Sequence, residues 1–278
     1  MTPRDAATVA ILRQNKAPEV LLLRRHGKST FMANAWVYPG GQVDQADVFC
    51  GNDAYVASLP HDLMRLADSR EVAVGLCLAA IRETIEEAGV VLGVPPAALG
   101  DQLDRVRAEL HTHAVTLGKV AQTFDLRFDL EDLAFFAHWI TPTFEPKRFD
   151  TRFFLAVVPE DQTARHDESE TTDSRWMPPA HALDRAKAGE IMLAPPTIRT
   201  LEQLADFDTT DSAIAWAKHH HPPVITPHFC ELEGSMTLVL PGDPLYPESD
   251  YPQATPVRDG ITRMRMSGEF WQSITTNL

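Results

Sequence analysis

Three carboxylates, Glu83, Glu86 and Glu87, crowd the stretch Arg82-Glu83-Thr84-Ile85-Glu86-Glu87-Ala88-Gly89-Val90. On a helical wheel with Glu83 at zero, Glu87 falls at about 40° and Glu86 at about 300°, so all three project from one face. Val74, Cys77, Ile81, Ile85 and Ala88 lie opposite, between about 120° and 200°, as an apolar stripe that would anchor the helix to a sheet. Leu76 breaks the pattern at about 20° and would pack under neighbouring chain. Like charges at these spacings repel along a helix. A hard divalent cation, Mg²⁺ or Mn²⁺, relieves that repulsion, accepts oxygen ligands and keeps waters that substrate phosphate oxygens can replace. The alternative is a solvated acidic face with nothing bound. Arg82 and Gly89 weigh against it, because Arg-Glu-x-x-Glu-Glu-x-Gly should arise by chance in on the order of one chain in several thousand of this length.

The formal net charge of -14 argues against a general binder of nucleic acid or membrane surfaces, which would carry a basic face. An acidic protein handling phosphate needs local cations, either Arg and Lys clusters or bound metal. With 278 residues, 44% hydrophobic and 23% charged, the chain can bury a substantial core. Its three cysteines (Cys50, Cys77, Cys230) are widely spaced and odd in number, which excludes a disulfide framework and fits a reducing compartment. Neither an apolar signal core nor a stretch of ~20 apolar residues is seen. The final Thr276-Asn277-Leu278 is not a Ser-Lys-Leu address. The expectation is a cytoplasmic protein.

The elements that must position the carboxylates follow from periodicity. Apolar runs at residues 7–12 and 20–23 around Asn15-Lys16-Ala17-Pro18 predict a hairpin. Ala35-Trp36-Val37-Tyr38 reads as a strand stopped by Pro39-Gly40-Gly41, and residues 44–70 show no steady period. A helix is predicted from about Glu71 to Ala88, closed by Gly89. Helices are also predicted over 95–113, 114–123, 179–188, 195–207 and 210–219, and strands over 133–140 and 152–158. An acidic loop, Asp167-Glu168-Ser169-Glu170, precedes Arg175-Trp176-Met177, and beyond Pro222 the chain reads as strands broken by prolines. This order implies an α+β or α/β sandwich with a mixed sheet.

The carboxylate stretch closely resembles the helical half of the Nudix signature, in which Gly, five residues, Glu and seven residues precede Arg-Glu-aliphatic-x-Glu-Glu-x-Gly-aliphatic. Thr84 replaces one aliphatic residue. The glycine half resembles Pro39-Gly40-Gly41-Gln42-Val43-Asp44, with Asp47 where the signature has Glu and Glu71 a rival for that place. Gly41 and Arg82 stand 41 positions apart rather than 14, so about 27 residues are inserted. The resemblance implies Glu83 and Glu87 as main metal ligands, Glu86 assisting, and a backbone carbonyl at Gly40 or Gly41 completing the shell. It also implies that Arg82 orients the glutamates, although a surface pair with Glu86 is an equal alternative. The metals would polarise a diphosphate and lower the pKa of a bound water for in-line attack on phosphorus.

Further stretches resemble the coenzyme A diphosphatase-like branch, which comprises the mammalian peroxisomal motif-nineteen type and bacterial relatives. They are Val20-Leu21-Leu22-Leu23-Arg24-Arg25, the run from Phe31 to Gly41, Trp139-Ile140-Thr141-Pro142, Lys147-Arg148-Phe149-Asp150-Thr151-Arg152-Phe153-Phe154, and Pro195-Pro196-Thr197. The resemblance implies a Nudix α/β/α sandwich over residues 1–207, with insertions at about 44–70 and 95–123, followed by an extension over 208–278. Residues 223–278 could form an extra sheet, a homodimer interface or a lid. Arg148 and Arg152 are candidates for phosphate contacts because guanidinium forks match phosphate oxygens; a structural pair between Arg152 and Asp150 or a sheet neighbour is the alternative. Arg25, with Arg24 and Lys28, either faces substrate or is solvated. Glu170 resembles the distal acidic residue of many Nudix enzymes, an extra ligand or general base, with Glu168 and Asp173 as competitors and a plain acidic loop as the bland alternative. His219-His220-His221 is a solvated helix end or a transition-metal site, and the paired phenylalanines at 135–136 and 153–154 supply core or a ring for adenine. The expected substrate is a small nucleotide diphosphate derivative, foremost coenzyme A or acyl-coenzyme A. ADP-ribose or a dinucleotide, and a non-catalytic ligand-binding module, are the alternatives.

Overall fold

The computed structural model describes residues 2–28, 32–158, 162, 164–165, 167 and 170–276. The predicted hairpin forms from β1 (Arg4–Gln14) and β2 (Pro18–Arg25), followed by the short strands β3 (Ala35–Val37) and β4 (Gly40–Gln42). The aperiodic stretch holds α1 (Gln45–Val48) and β5 (Val56–Ser58) before α2 (Arg70–Glu83). Beyond it come α3 (Leu103–His111), α4 (Leu117–Phe124), β6 (Phe128–Asp129), β7 (Ala134–Ile140), β8 (Phe149–Val157) and β9 (Thr171–Met177). The elements α5 (Pro179–Lys187), β10 (Met192–Leu193), α6 (Pro195–Leu204) and α7 (Thr210–His219) follow. Last are β11 (Val224–Ile225), β12 (His228–Leu232), β13 (Ser235–Val239), β14 (Arg263–Ser267) and β15 (Phe270–Ile274).

Among the described residues, β10-β3-β2-β1-β8-β7-β11 form one sheet, with β4 added to β1 and β9 added to β2. It is mixed, because β1 runs parallel to β8 and antiparallel to β2 and β4. The central strands are apolar on both faces, and their alternation divides two cores. Ala7, Val9 and Ile11 of β1 join α2, α3 and α4 on one side; Ala10 and Leu12 join α5, α6 and α7 on the other. The phenylalanine pairs split in the same way, Phe135 and Phe154 to the first core, Phe136 and Phe153 to the second. The result is the expected α/β/α sandwich.

The described part of the extension, residues 208–276, packs on this body. α7 and Leu238, Leu240 and Met264 contribute to the second core, β11 adds to the main sheet, and β12-β13-β14-β15 form a sheet of their own. No helix among the described residues is long and apolar enough to cross a membrane.

Two helical expectations need correction. The helix predicted to Ala88 is α-helical only to Glu83; Thr84–Ala88 is a π-helix, a wider turn that hydrophobic periodicity does not register. The helix predicted over 95–113 has two 3₁₀ turns before α3 begins at Leu103, and α4 begins only at Leu117. Nor does α2 show one wet face. Every residue from Ala73 to Glu83 is buried, Leu76 included, because the two insertions cover the side that the sheet does not.

Candidate active site

Gly89 ends the carboxylate helix at φ 63°, a left-handed conformation that glycine adopts without strain. The wider final turn leaves Glu83, Glu86 and Glu87 buried rather than projecting into water, at 9%, 6% and 4% exposure. A solvated acidic face is thereby excluded.

The glycine half of the motif is folded directly against them. The Gly40 N–H donates to Glu87 Oε2 at 3.0 Å. A Cβ at Gly41 would stand 2.3 Å from Glu83 Oε1, so only glycine lets that carboxylate lie over the β4 backbone. The long insertion therefore loops out while its two ends meet.

Arg82 is the hub of the acidic cluster. Its Nη1 donates to Glu83 Oε1 at 2.9 Å and Glu86 Oε1 at 3.0 Å; its Nη2 donates to the Gln42 carbonyl at 2.9 Å and Asp47 Oδ2 at 3.0 Å; its Nε donates to Asp47 Oδ1 at 3.2 Å. Burial disfavours the charged guanidinium, but Glu83, Asp47 and Glu86 outweigh it and hold the proton more tightly than usual. Asp47, 3% exposed on α1, occupies the place beside the arginine, whereas its rival Glu71 is exposed and caps α2 with Ser69.

Burial, helped by Glu86 and Asp47, raises the carboxyl pKa of Glu83 to about 7 against the pull of Arg82. Glu87 is also raised, first by burial, then by Glu83 and Glu170, while the Gly40 N–H and Arg25 act the other way. Glu170 and Arg25 thus lie within electrostatic reach of Glu87. Glu86 is raised by burial but feels His111 and His113 as well as Arg82, so it faces the α3 side. Glu83 and Glu86 nonetheless share Arg82 Nη1, while Glu87 sits on the Gly40 amide. Among the described residues no three His, Cys, Asp or Glu side chains are disposed to hold a metal ion. Glu83 and Glu87, buried like charges on a glycine cradle, still form an all-oxygen donor pair suited to Mg²⁺ or Mn²⁺, which readily take remaining ligands from water and substrate.

The expected phosphate contacts are not all at this site. Arg152 is buried and bound elsewhere: Nε to the Leu66 carbonyl at 2.9 Å, Nη1 to Asp5 at 2.9 Å and to Asp150 at 2.8 Å. The structural alternative holds for it. Arg148 Nε donates to the Thr141 carbonyl at 2.9 Å, at the turn between β7 and β8. Arg24 bonds Asn34, Lys28 is exposed, and Asp173 pairs with Arg175. Glu168 lies outside the described residues. His219 bonds the Ala215 carbonyl and His220 stacks on Trp216 at the end of α7, while His221 pairs with Arg65 of the insertion.

Arg107 of α3 carried no sequence signal. Its Nε donates to the Glu86 carbonyl and its Nη2 to those of Glu87 and Arg165, each at 2.8 Å. A cavity of about 450 Å³ between β7, α7 and the C-terminal extension is lined by Phe136, His220 and His221 but by none of the carboxylate-motif residues.

The chain matches the family model of the NUDT19 Nudix domain over residues 61–204. It is 28% identical to the acyl-coenzyme A diphosphatase NUDT19 of Xenopus laevis, across 83% of this chain and 72% of that protein. It is likewise 28% identical to the Homo sapiens protein of that name, across 84% and 73%. A crystal structure of a NUDIX hydrolase from Alicyclobacillus acidocaldarius superposes with a TM-score of 0.66 at 29% identity, covering 77% of this chain and 96% of that one. With the split motif closed around Gly40, Gly41, Glu83 and Glu87, the chain belongs to the NUDT19 Nudix family and is a Nudix diphosphatase.

Proposed function

We propose that this enzyme hydrolyses the diphosphate of coenzyme A or an acyl-coenzyme A, releasing 3′,5′-ADP and (acyl-)phosphopantetheine. The observation that carries the reading is the meeting of Glu87 with Gly40 and of Glu83 with Gly41. The names of the Xenopus and human relatives support the substrate class. Glu83 and Glu87, with a carbonyl at Gly41, would hold Mg²⁺ or Mn²⁺, and Glu86 would act on them through Arg82. The cation, when bound, polarises the diphosphate and acidifies a water.

The chain's own groups do the rest. Arg82 holds Glu83 and Glu86 in place, so the carboxylates need not reorganise during the reaction. Glu170, exposed and within electrostatic reach of Glu87, accepts the proton of the water whose oxygen attacks phosphorus as the bridging P–O bond breaks. Arg25, on the same side, offsets phosphate charge in a protein of net charge -14.

The test is incubation with Mg²⁺ or Mn²⁺ and coenzyme A, an acyl-coenzyme A, ADP-ribose or NADH, with products identified by mass. Coenzyme A substrates should give 3′,5′-ADP at rates at least ~10-fold above the others, a discrimination of about 1.4 kcal/mol. Faster turnover of ADP-ribose or NADH would move the enzyme to those substrates. Tight binding of ligand without any turnover would sink the enzymatic reading. Glu87→Gln should reduce turnover by ~100-fold or more while the protein stays folded.

A further inference from the structure

The last carbonyls of a helix lack partners inside it, and here each of the final five can be traced. Thr84 and Ile85 accept from Val90 and Gly89, at 3.1 and 3.0 Å. Ala88 accepts from the Arg165 amide at 2.8 Å. Glu86 and Glu87, the carbonyls of two of the motif carboxylates, both accept from Arg107. The same guanidinium donates to the Arg165 carbonyl, so one side chain joins the end of the carboxylate helix to Arg165, five positions before Glu170.

Other contacts support this seam. The Gln162 amide group accepts from the Val91 N–H at 2.7 Å and donates to the Val91 carbonyl at 2.8 Å. Arg165 reaches Asp104 on α3, and Glu170 itself is tied to Asp167 through its amide at 2.9 Å. Gly89 has no side chain to fill this seam; a Cβ there would come within 3.3 Å of Arg107 Nη1.

We infer that Arg107 is a positioning residue for this enzyme, holding the Glu87 turn and the Glu170 segment in register through three carbonyl oxygens. The inference rests on the assignment of Glu87 and Glu170 above. A guanidinium is suited to the task because its planar fork serves several acceptors from one fixed position, which an ammonium cannot do. A cation is also favoured at a helix C-terminus. The helical insertion over 95–123 thus contributes directly to the geometry of the site, although α3 supplies no reacting group.

The experiment compares Arg107→Ala and Arg107→Lys with wild type in kcat, KM, Mn²⁺ affinity by electron paramagnetic resonance, and circular dichroism. Arg107→Ala should keep its spectrum, lose about 10- to 100-fold in kcat and bind Mn²⁺ more weakly, with KM within about threefold. Arg107→Lys should recover part of both, and added guanidinium at non-denaturing concentration should raise the kcat of the alanine variant alone. Wild-type kcat and Mn²⁺ affinity in Arg107→Ala would overturn the inference. So would a loss of activity that only tracks the unfolded fraction. Glu87→Gln run in parallel separates the two claims: if it remains active the assignment of Glu87 fails, whereas an inactive Glu87→Gln with a normal Arg107→Ala refutes only the role of Arg107.

Discussion

Arg82 brings five oxygens of four residues to one buried point, and Asp47 is the most enclosed of the side chains among them. Taking Asp47 away would leave the guanidinium with Glu83 and Glu86 but without its paired hydrogen bonds to the insertion. Asp47→Ala should therefore lose about 3 kcal/mol, the low end for breaking a buried ion pair, since two carboxylates still offset the charge. Urea denaturation checks this, and an unchanged midpoint would show that Asp47 does not hold Arg82. Arg82, Glu83, Glu86, Glu87 and Asp47 were all legible in the sequence because motif spacing is local on either side of the insertion. Arg107 was not, since a lone arginine on an amphipathic helix has no distinguishing pattern. Arg152 misled for a related reason: a basic residue in a strand looks the same whether it faces phosphate or, as here, Asp5 and Asp150.

At the scale of elements, the two glycines of β4 do different work. A Cβ at Gly40 would stand 2.5 Å from the Ala7 carbonyl, an atom of the neighbouring strand that cannot move without disturbing the β1–β4 pairing. At Gly41 the obstacle is the Glu83 carboxylate. Gly40→Ala should lower the melting temperature, whereas Gly41→Ala should fold and lose on the order of 10- to 100-fold in turnover as Glu83 is displaced. Thermal melts and steady-state rates on both variants check the contrast; equal effects on stability would refute it. The existence of the hairpin and the spans of α5 and α7 could be read from periodicity because each buries one continuous face, whereas the strands of the hairpin run longer and α6 shorter than expected. The π-turn over Thr84–Ala88 could not, because it alters helical phase by a single residue in a segment that tertiary contacts surround.

For the molecule as a whole, the C-terminal sheet is locked down by Asp243. Burial alone would raise its carboxyl pKa, but Arg263, the Leu245 amide and Thr262 donate to it and bring it below the ordinary 3.8. A carboxylate held low adds stability above its unfolded value, and that contribution disappears as pH falls through the lower folded value. The wild-type protein should thus lose stability on acidification below about pH 4, and Asp243→Asn should be less stable at neutral pH with a shallower loss in acid. Denaturation midpoints between neutral pH and pH 3 measure this, and parallel curves for the two proteins would count against the role of Asp243.

The sequence by itself determined a mixed-sheet sandwich and a carboxylate helix, because these depend on short spacings and on the alternation of apolar positions, and its resemblance to the Nudix signature implied the reaction class and the α/β/α arrangement. Only the tertiary structure decided which charges share a site. Asp47 reaches Arg82 across 35 residues, and Arg107 reaches Glu86 across 21 and Arg165 across 58. Such pairings arise when insertions fold back over the sheet to bury their own apolar faces, and nothing periodic in the chain records where they come to rest. The three carboxylates of the motif are consequently buried together by that folding: Glu83 and Glu87 against the glycines, with Glu86 joined to Glu83 through Arg82.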